Sequence, residues 1–460
     1  MSDDTANPAR TYPDALRALW ARSSYERGYI TNPFADPLSA DRGLRRTAAL
    51  LDRLGRPQDR YAIAHVAGSK GKGSTCAMIA AVLKEAGHRV GLATSPHLHS
   101  WRERVAIDGE PVPASTFAAL TARAVAAAER VEAAEPAVGQ ITTFELMTAI
   151  ALDGFATAGC DVAVVEVGLG GAYDATNVLL PVVAAITRLD LEHTAVLGPT
   201  LADIAVAKAG IIKPGRPIVV SPQEPAALAV LEATAAERSS PLLLGGRDWH
   251  WTGDWRAFAA TGPWGRYDDL CLSLPGPHQV ENAGTALAAL WQLASAGVTV
   301  PEQAIRAGLV EARWPGRFEL MTVPGGPKIV LDGAHTPAAA AALAATFTAE
   351  LPGRRAVVVL GTSTDKDAVA LGRALAPVAS VVVATRSHNP RAASAETVAA
   401  GTQSVGLPTE IVGDVATALG RAIDVAGTSG VVLVTGSLFT VAEAREALGL
   451  AVADPPPATP

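Results

Sequence analysis

The chain has 460 residues, of which 49% are hydrophobic and 18% charged, with a net charge of −7. That balance excludes a disordered chain, and the absence of a basic tract argues against a broad nucleic-acid surface. At roughly 100–200 residues per domain, the length predicts two or three domains.

The opening stretch MSDDTANPAR is polar and acidic, so it does not read as a secretory signal. No apolar run approaches the roughly 18 residues of a membrane span, and a cytoplasmic location with no membrane partner is expected. The first dozen residues and the tail ADPPPATP read as loose ends. Residues 13–60 read as mainly helical, with GLRRTAALLDRLG closing on a glycine stop. The rhythm then changes to short apolar strands, YAIAHVAG, VGLATS, DVAVVEVG and PVVAAIT, interleaved with helical segments such as STCAMIAAVLKEAGHR. This alternation predicts a parallel α/β sheet. Residues 240–275 carry tryptophans and turn glycines and read as a small antiparallel hairpin, whose aromatic cluster is expected to pack locally and not to stack on a base. After a helical stretch near 280–310 a second α/β series follows, KIVLDGAH, AVVVLGTS, SVVVATRSHNP and VVLVTGS, each strand running into a polar loop. Open parallel sheets bind ligands beyond the carboxyl ends of their strands. The domain reading is therefore 1–310, 311–450 and a flexible tail over 451–460. Cys76, Cys160 and Cys271 lie far apart without a CxxC pair, so buried, unpaired thiols are expected.

The segment HVAGSKGKGST, His65 to Thr75, lies between a predicted strand and a predicted helix. A phosphate cradle needs a tight backbone turn, N–H groups at a helix start facing the anion, a lysine for the terminal phosphates and a hydroxyl for Mg²⁺. Gly68, Gly71 and Gly73 supply the turn, Lys72 the charge, and Ser74 or Thr75 the hydroxyl. The usual G-x-x-x-x-G-K-[ST] spacing is altered, because Gly73 separates Lys72 from Ser74. Hard oxygen ligands for a magnesium–nucleotide site are sought nearby. Glu166 ends one buried strand, and Asp190, Glu192 and His193 follow another.

From about residue 40 to 450 these motifs resemble, in order, those of the folylpolyglutamate synthase/dihydrofolate synthase family within the Mur ligase superfamily. The resemblance is carried by HVAGSKGKGST, TSPHLHSWRERVAIDGEPV, TTFELMTAIAL, EVGLGGAYDATNV, EHTAVLGPTLADIAVAKAGIIKPG, LPGPHQVENAGTA, RWPGRFE, LDGAHTP, TDKD and LVTGSLF. In that family a glycine between the lysine and the serine is normal. Ala172 for arginine, Glu192 for aspartate and Thr336 for asparagine depart from the common pattern; Lys70 stands where many bacterial members have asparagine, although lysine also occurs there in the family.

The resemblance implies a P-loop-containing parallel-sheet ATPase domain followed by a smaller Rossmann-like α/β domain. It implies ATP-dependent joining of L-glutamate to a folate or dihydropteroate carboxylate through an acyl phosphate. The implied roles are Gly68, Ser69, Gly71, Lys72, Gly73, Ser74 and Thr75 around the phosphates, and Asn282, Arg317 and Asp332 around adenine and ribose. Ser74, Ser95, Glu166 and His193 are implied as ligands of two Mg²⁺ ions, with room for a monovalent cation. Lys72, His193 and Lys208 are the implied catalytic groups, Lys208 matching a lysine that is carbamylated in the superfamily. Pro96, His97, Phe144 and Glu145 would line the pterin side, with His335 and Ser437 near the incoming glutamate. A monomer is expected. Two alternatives stand beside this reading. One is a Mur-type amide ligase acting on a different carboxylate acceptor; its cell-wall form, acting on a UDP-linked peptide, is not expected, because only about sixty residues precede the loop, below a usual domain size. A non-catalytic nucleotide-binding regulator is disfavoured because Lys72, Glu166, His193 and Lys208 are all retained.

Overall fold

Residues 11–23 and 37–455 are described in this computed structural model. The chain divides into two compact units. The first extends to Ser273 and resumes over Gln279–Ala312; the second comprises Leu274–His278 and Arg313–Asp454.

The first unit is built on an eight-stranded sheet. Its strands in chain order are β1 (Ala62–Ala67), β2 (Val90–Ala93), β3 (Ala106–Ile107), β4 (Glu110–Pro111), β5 (Val162–Glu166), β6 (Val183–Ile186), β7 (Ile218–Val220) and β8 (Leu242–Leu244). The spatial order is β4-β3-β2-β5-β1-β6-β7-β8. All neighbours from β2 to β8 pair in parallel, and β3 and β4 add an antiparallel edge. The central strands are almost wholly apolar, His65 in β1 and Glu166 at the end of β5 being the exceptions, because helices cover both faces. In chain order the helices are α1 (Tyr12–Ala21), α2 (Pro37–Arg53), α3 (Lys72–Glu85), α4 (Ala114–Ala134), α5 (Thr143–Ala158), α6 (Thr194–Leu197), α7 (Leu201–Ala209), α8 (Pro225–Glu237), α9 (Pro277–Ser295) and α10 (Glu302–Glu311). On one face Leu19, Leu50, Phe117 and Phe155 close over Ile63 and Val165. On the other, Ala205, Ala209, Ala227 and Leu231 close over Ala67, Ile186 and Val220.

Several expectations are adjusted here. Thr11 and Tyr12 are not loose: the Thr11 side chain caps α1 in a capping box with Asp14. The helical reading of 13–60 holds for α1 and α2, while residues 24–36 lie outside the described residues. The aromatic segment is a three-stranded antiparallel sheet, β9 (His250–Asp254), β10 (Ala257–Gly262) and β11 (Gly265–Leu270), and not a single hairpin. Its tryptophans pack: Trp249 is fully buried, with its ring so close to Gly245 and Gly284 that a Cβ there would come within 2.6 and 2.3 Å. Cys76 and Cys160 are buried, but Cys271 is exposed, its thiol donating to the Arg256 carbonyl at 2.9 Å.

The second unit holds a six-stranded sheet made of β12 (Glu319–Thr322), β13 (Lys328–Leu331), β14 (Ala356–Leu360), β15 (Ala379–Ala384), β16 (Thr409–Ile411) and β17 (Val431–Thr435). Its order is β12-β13-β17-β14-β15-β16, parallel except for β12. Helices α11 (Pro337–Glu350), α12 (Ala368–Leu375), α13 (Ala395–Gln403), α14 (Val415–Ala426) and α15 (Leu438–Ala447) complete it. Phe347, Leu371 and Val398 fill one core layer and Leu419, Ala422 and Val441 the other. The parallel α/β class read from the alternating strands holds in both units. Of the tail, residues 451–455 carry no regular structure, and 456–460 lie outside the described residues.

In the first unit, α3 and α10 touch backbone to backbone at Gly308, where a Cβ would lie 2.4 Å from Val82 Cα. Alanine in a helix is otherwise better than glycine by about 1 kcal/mol. Gly308→Ala is expected to destabilise the protein by about 1–3 kcal/mol, as overpacking does, in urea unfolding. Stabilisation would mean that the contact yields.

Candidate active site

The strand order decides which loops meet. β2, β5, β1 and β6 are consecutive neighbours in one parallel sheet, about 4.8 Å apart. Their carboxyl ends therefore present four adjacent loops. These begin at Thr94, Val167, Gly68 and Thr187, and carry or adjoin Ser95, Glu166, Lys72 and His193.

The glycine loop turns through Gly68 at φ 150° and Gly71 at φ 87°, the latter being the N-cap of α3. A Cβ at Gly68 would come within 1.8 Å of Thr187 Oγ1, and one at Gly71 within 2.1 Å of Asn282 Oδ1. Glycine is required at both. Lys72 opens α3, and the N–H groups of Lys72, Gly73 and Ser74 in its first turn have no intrahelical acceptor. These are the amides available to an anion. The Ser69 N–H, with that of Lys70, donates to the Arg188 carbonyl at 3.1 Å, and its hydroxyl donates to Asp190 O at 3.0 Å. Ser69 thereby stitches two loops together. Asn282 lies beside Gly71 on α9, and its amide donates to Gln279 Oε1 at 2.9 Å.

Glu166 is buried at the end of β5, and its Oε2 accepts the Ser95 N–H at 3.0 Å. Ser74 is buried in the first turn of α3, where its Oγ accepts from Gln279 Nε2 at 3.3 Å. The next hydroxyl, Thr75 Oγ1, is fully buried without a hydrogen-bond partner. No group of three or more His, Cys, Asp or Glu side chains placed to hold a metal ion occurs among the described residues. A hydroxyl-and-carboxylate set of this kind fits Mg²⁺, which takes one or two protein oxygens and fills the rest of its shell with water and phosphate. It does not fit a closed protein cage. His193 is more exposed than these groups; its backbone is left-handed at φ 53°, and its Nε2 lies 3.8 Å from Glu192 Oε1.

Lys208 is 4% exposed, and its ammonium donates to the Gly68 carbonyl at 2.8 Å. Burial, reinforced by the nearby Lys72 charge, pulls its pKa down to about 7. The loop that follows β5 is organised by Asp174, which accepts from Leu169 N at 2.9 Å and from Thr176 N at 3.0 Å. Ala172 sits in that loop with its N–H on Ala207 O at 2.7 Å, tying the loop to the helix that carries Lys208.

Alongside lies a cleft lined among others by Ser95, Arg104, Phe144, Met147 and Glu166. The Phe144 ring touches Gly168, where a Cβ would meet it at 2.4 Å. Pro96, which follows Ser95, is exposed. His97 accepts on Nδ1 from Arg104 Nε at 2.9 Å. Arginine only donates, so the proton of a neutral imidazole is on Nε2; burial, then the Arg104 charge, hold its pKa well below the usual histidine range. Glu145 departs from its expected role. Both its oxygens are taken by Arg46, the shortest contact being 2.7 Å, and Oε2 also accepts the Thr142 N–H at 2.9 Å. It caps α5 and pairs with an arginine, so its carboxylate is committed to the fold.

The remaining expected residues belong to the second unit. Asp332 accepts from Phe318 N and Ala334 N, both at 2.8 Å, and Arg317 donates to the Gly316 carbonyl at 3.2 Å. His335 Nδ1 is 2.9 Å from the Gly333 carbonyl. Ser437 caps α15, accepting from Phe439 N at 3.1 Å. Thr336, one of the departures, caps α11 through Ala339 N at 3.3 Å, a task that asparagine and threonine share. In this unit the Asp332 and Ser437 side chains serve local backbone geometry first.

The sequence reading missed four contributors. Gln279 bridges Ser74 and Asn282; Thr187 donates to the Lys70 carbonyl at 2.6 Å; Asp174 folds its loop. Glu103 accepts three amides, from Leu98, His99 and Ser100, at 2.7–2.8 Å and so fixes the loop that bears His97. Gln279, Asp174 and Glu103 lie inside the quoted motifs, where a buried polar residue next to glycine or at a turn was the available signal.

Comparison with known proteins bears on this arrangement. A family model for the Mur ligase middle domain matches residues 66–290, and one for the Mur ligase glutamate ligase domain matches 316–438. A dihydrofolate synthase/folylpolyglutamate synthase from Mycobacterium tuberculosis is 36% identical over 445 residues, covering 89% of this chain and 90% of that protein. A probable bifunctional folylpolyglutamate synthase/dihydropteroate synthase from Haloferax volcanii is 39% identical over 420 residues; the chain spans 48% of its length, about half. The Escherichia coli protein solved in complex with DHPP and ADP superposes with a TM-score of 0.83 at 33% identity, over 97% of this chain and 99% of that one.

Gly71→Ala puts a Cβ at φ 87° and against Asn282, and the left-handed backbone alone costs about 1–2 kcal/mol. Affinity for a non-hydrolysable ATP analogue in isothermal titration is expected to fall about 5- to 30-fold, the equivalent of that cost.

Proposed function

Because the chain belongs to the folylpolyglutamate synthase/dihydrofolate synthase family of Mur ligases, we propose that it uses ATP to join L-glutamate to the carboxylate of a folate or of dihydropteroate. The observation that carries the proposal is the convergence, on four adjacent strands, of Lys72 at an open helix start, the Ser95–Glu166 contact and the buried Lys208.

A carboxylate is a poor acyl donor. Transfer of the γ-phosphoryl group to one of its oxygens breaks the bond to the β-phosphate, releases ADP and leaves an acyl phosphate. The glutamate amine then attacks the acyl carbon, phosphate departs, and an amide remains. Positioning and charge neutralisation do most of the work in phosphoryl transfer. Here Lys72 and the first-turn amides of α3 hold the phosphates. Glu166, Ser95 and Ser74 would hold Mg²⁺, which neutralises phosphate charge when bound. Glu166 is oriented for that by the Ser95 amide. The cleft beside Phe144 would receive the pterin, with the His97 Nε2–H as a donor on the same loop.

Lys208 suits carbamylation. A neutral amine attacks CO₂, forms a carbamate and releases a proton, turning a buried cation into an anion. Its pKa near 7 leaves a substantial neutral fraction at neutral pH. The proton blocks attack, so the modification should decline as pH falls from 8 to 6. Carbon NMR of protein equilibrated with ¹³C-bicarbonate should show a carbamate signal that fades over that range and is missing from Lys208→Met. A pH-independent spectrum without that signal would refute the assignment.

The activity test is ADP release with Mg-ATP and L-glutamate, with dihydropteroate and tetrahydrofolate supplied in parallel and products analysed by mass. A single glutamate added to dihydropteroate shows folate synthesis, and a ladder on tetrahydrofolate shows polyglutamylation. Lys72→Met should lower kcat/KM by about 100- to 1,000-fold, the scale for losing one preorganised donor. Failure of both acceptors would overturn the folate reading.

A further inference from the structure

Two positions singled out in the sequence, Lys70 and Glu192, meet in the fold. Lys70 Nζ lies 3.2 Å from Glu192 Oε2. Their side chains are 25% and 13% exposed, so the pair is screened less than a surface ion pair. It closes a seam of backbone contacts between the same loops. Along that seam the amides of Ser69 and Lys70 both reach Arg188 O at 3.1 Å. Ser69 Oγ reaches Asp190 O at 3.0 Å and Thr187 Oγ1 reaches Lys70 O at 2.6 Å. The seam ends one residue before His193, which is held at φ 53°. A non-glycine residue there costs roughly 1–3 kcal/mol and persists only where its surroundings over-determine it.

Side-chain length matters to the contact. Aspartate at 192 would end one C–C bond short, about 1.5 Å, and would part the charges. We propose that Lys70 and Glu192 form a positioning pair that locks the 187–193 loop to the phosphate loop, so that His193 is placed before nucleotide arrives. The pair also keeps the Glu192 carboxylate compensated beside a site built for polyphosphate. Its catalytic consequence rests on the ligase reading above; the lock itself does not.

The test compares wild type with Glu192→Asp, Lys70→Met, Glu192→Gln and the double variant Lys70→Met/Glu192→Gln. Hydrogen exchange at the amides of residues 69 and 70, without nucleotide, reads the seam directly. Both amides should exchange about 10-fold faster in Glu192→Asp and in each neutralised single variant, while amides of β14 keep their rates. In ADP release, Glu192→Asp should lower kcat about 10-fold with KM for ATP changed less than about 3-fold. The double variant should be no worse than the worse single, because removing one partner strands a charge and removing both does not. Unchanged seam amides in Glu192→Asp, or additive losses in the double variant, would overturn the pair. Responsive amides in a wild-type protein that never turns over would remove the ligase reading and keep the pair; turnover with unresponsive amides would do the reverse.

Discussion

The order of four strands governs everything else in the first unit. β2, β5, β1 and β6 are far apart in the chain yet adjacent in the sheet, and a parallel sheet sends all their carboxyl ends to one edge. Ser95, Glu166, the glycine loop and the 187–193 loop are thereby placed together before any side chain chooses a rotamer. The apolar sequences of these strands are the cause: buried on both faces, they fit only the middle of a covered sheet. What remains is local. Each loop must satisfy its own backbone and still leave a few groups facing outward.

That second requirement explains what the sequence could and could not show. Strands such as DVAVVEVG and the strand–loop–helix of HVAGSKGKGST are legible because burial and glycine each leave an unambiguous trace. A polar residue in a motif leaves no such trace, because a cap, an ion-pair partner and a ligand have the same letters. Ser69, Glu145 and Ser437 sit in motifs that suggest ligand contact, and the fold uses them to stitch a loop, cap a helix beside an arginine, and cap another helix. Asp174, Glu103 and Gln279 were passed over for the converse reason. Their partners are backbone amides or distant side chains, which no local pattern announces. The short pairing of Ala106–Ile107 with Glu110–Pro111 was equally hidden, two residues being too few for a periodicity.

Behind the site runs a buried line of hydrogen-bonded polar groups that holds its loops. His65 Nε2 lies 2.7 Å from Thr176 Oγ1, and that hydroxyl donates to Asp174 Oδ1 at 2.5 Å. Since the hydroxyl proton is spent on Asp174, His65 must donate from Nε2. Burial supports this by pushing the His65 pKa down to about 3, so the ring is neutral. Burial also raises the Asp174 pKa, against the hydrogen bonds that lower it. The β1 strand that launches the glycine loop is thus tied to the loop after β5 by directional contacts, which keep their geometry at a cost that unpaired charges would exceed.

The cations fit the phosphate-binding role proposed for the site. Lys70, Lys72 and Lys208 are close enough that the pKa values of Lys70 and Lys208 are both lowered by a neighbouring lysine, on top of the larger effect of burial. Glu192 opposes this for both. A protein stabilised only by its own contacts gains nothing from gathering mutually repelling ammonium groups in a half-buried pocket. The arrangement becomes favourable when an anion of several charges enters, and the unsatisfied amides at the start of α3 point the same way. One lysine paired with Glu192, one at the head of a helix and one poised near neutrality on the Gly68 carbonyl form a graded set. They limit repulsion in the empty protein while keeping positive potential where phosphate would lie.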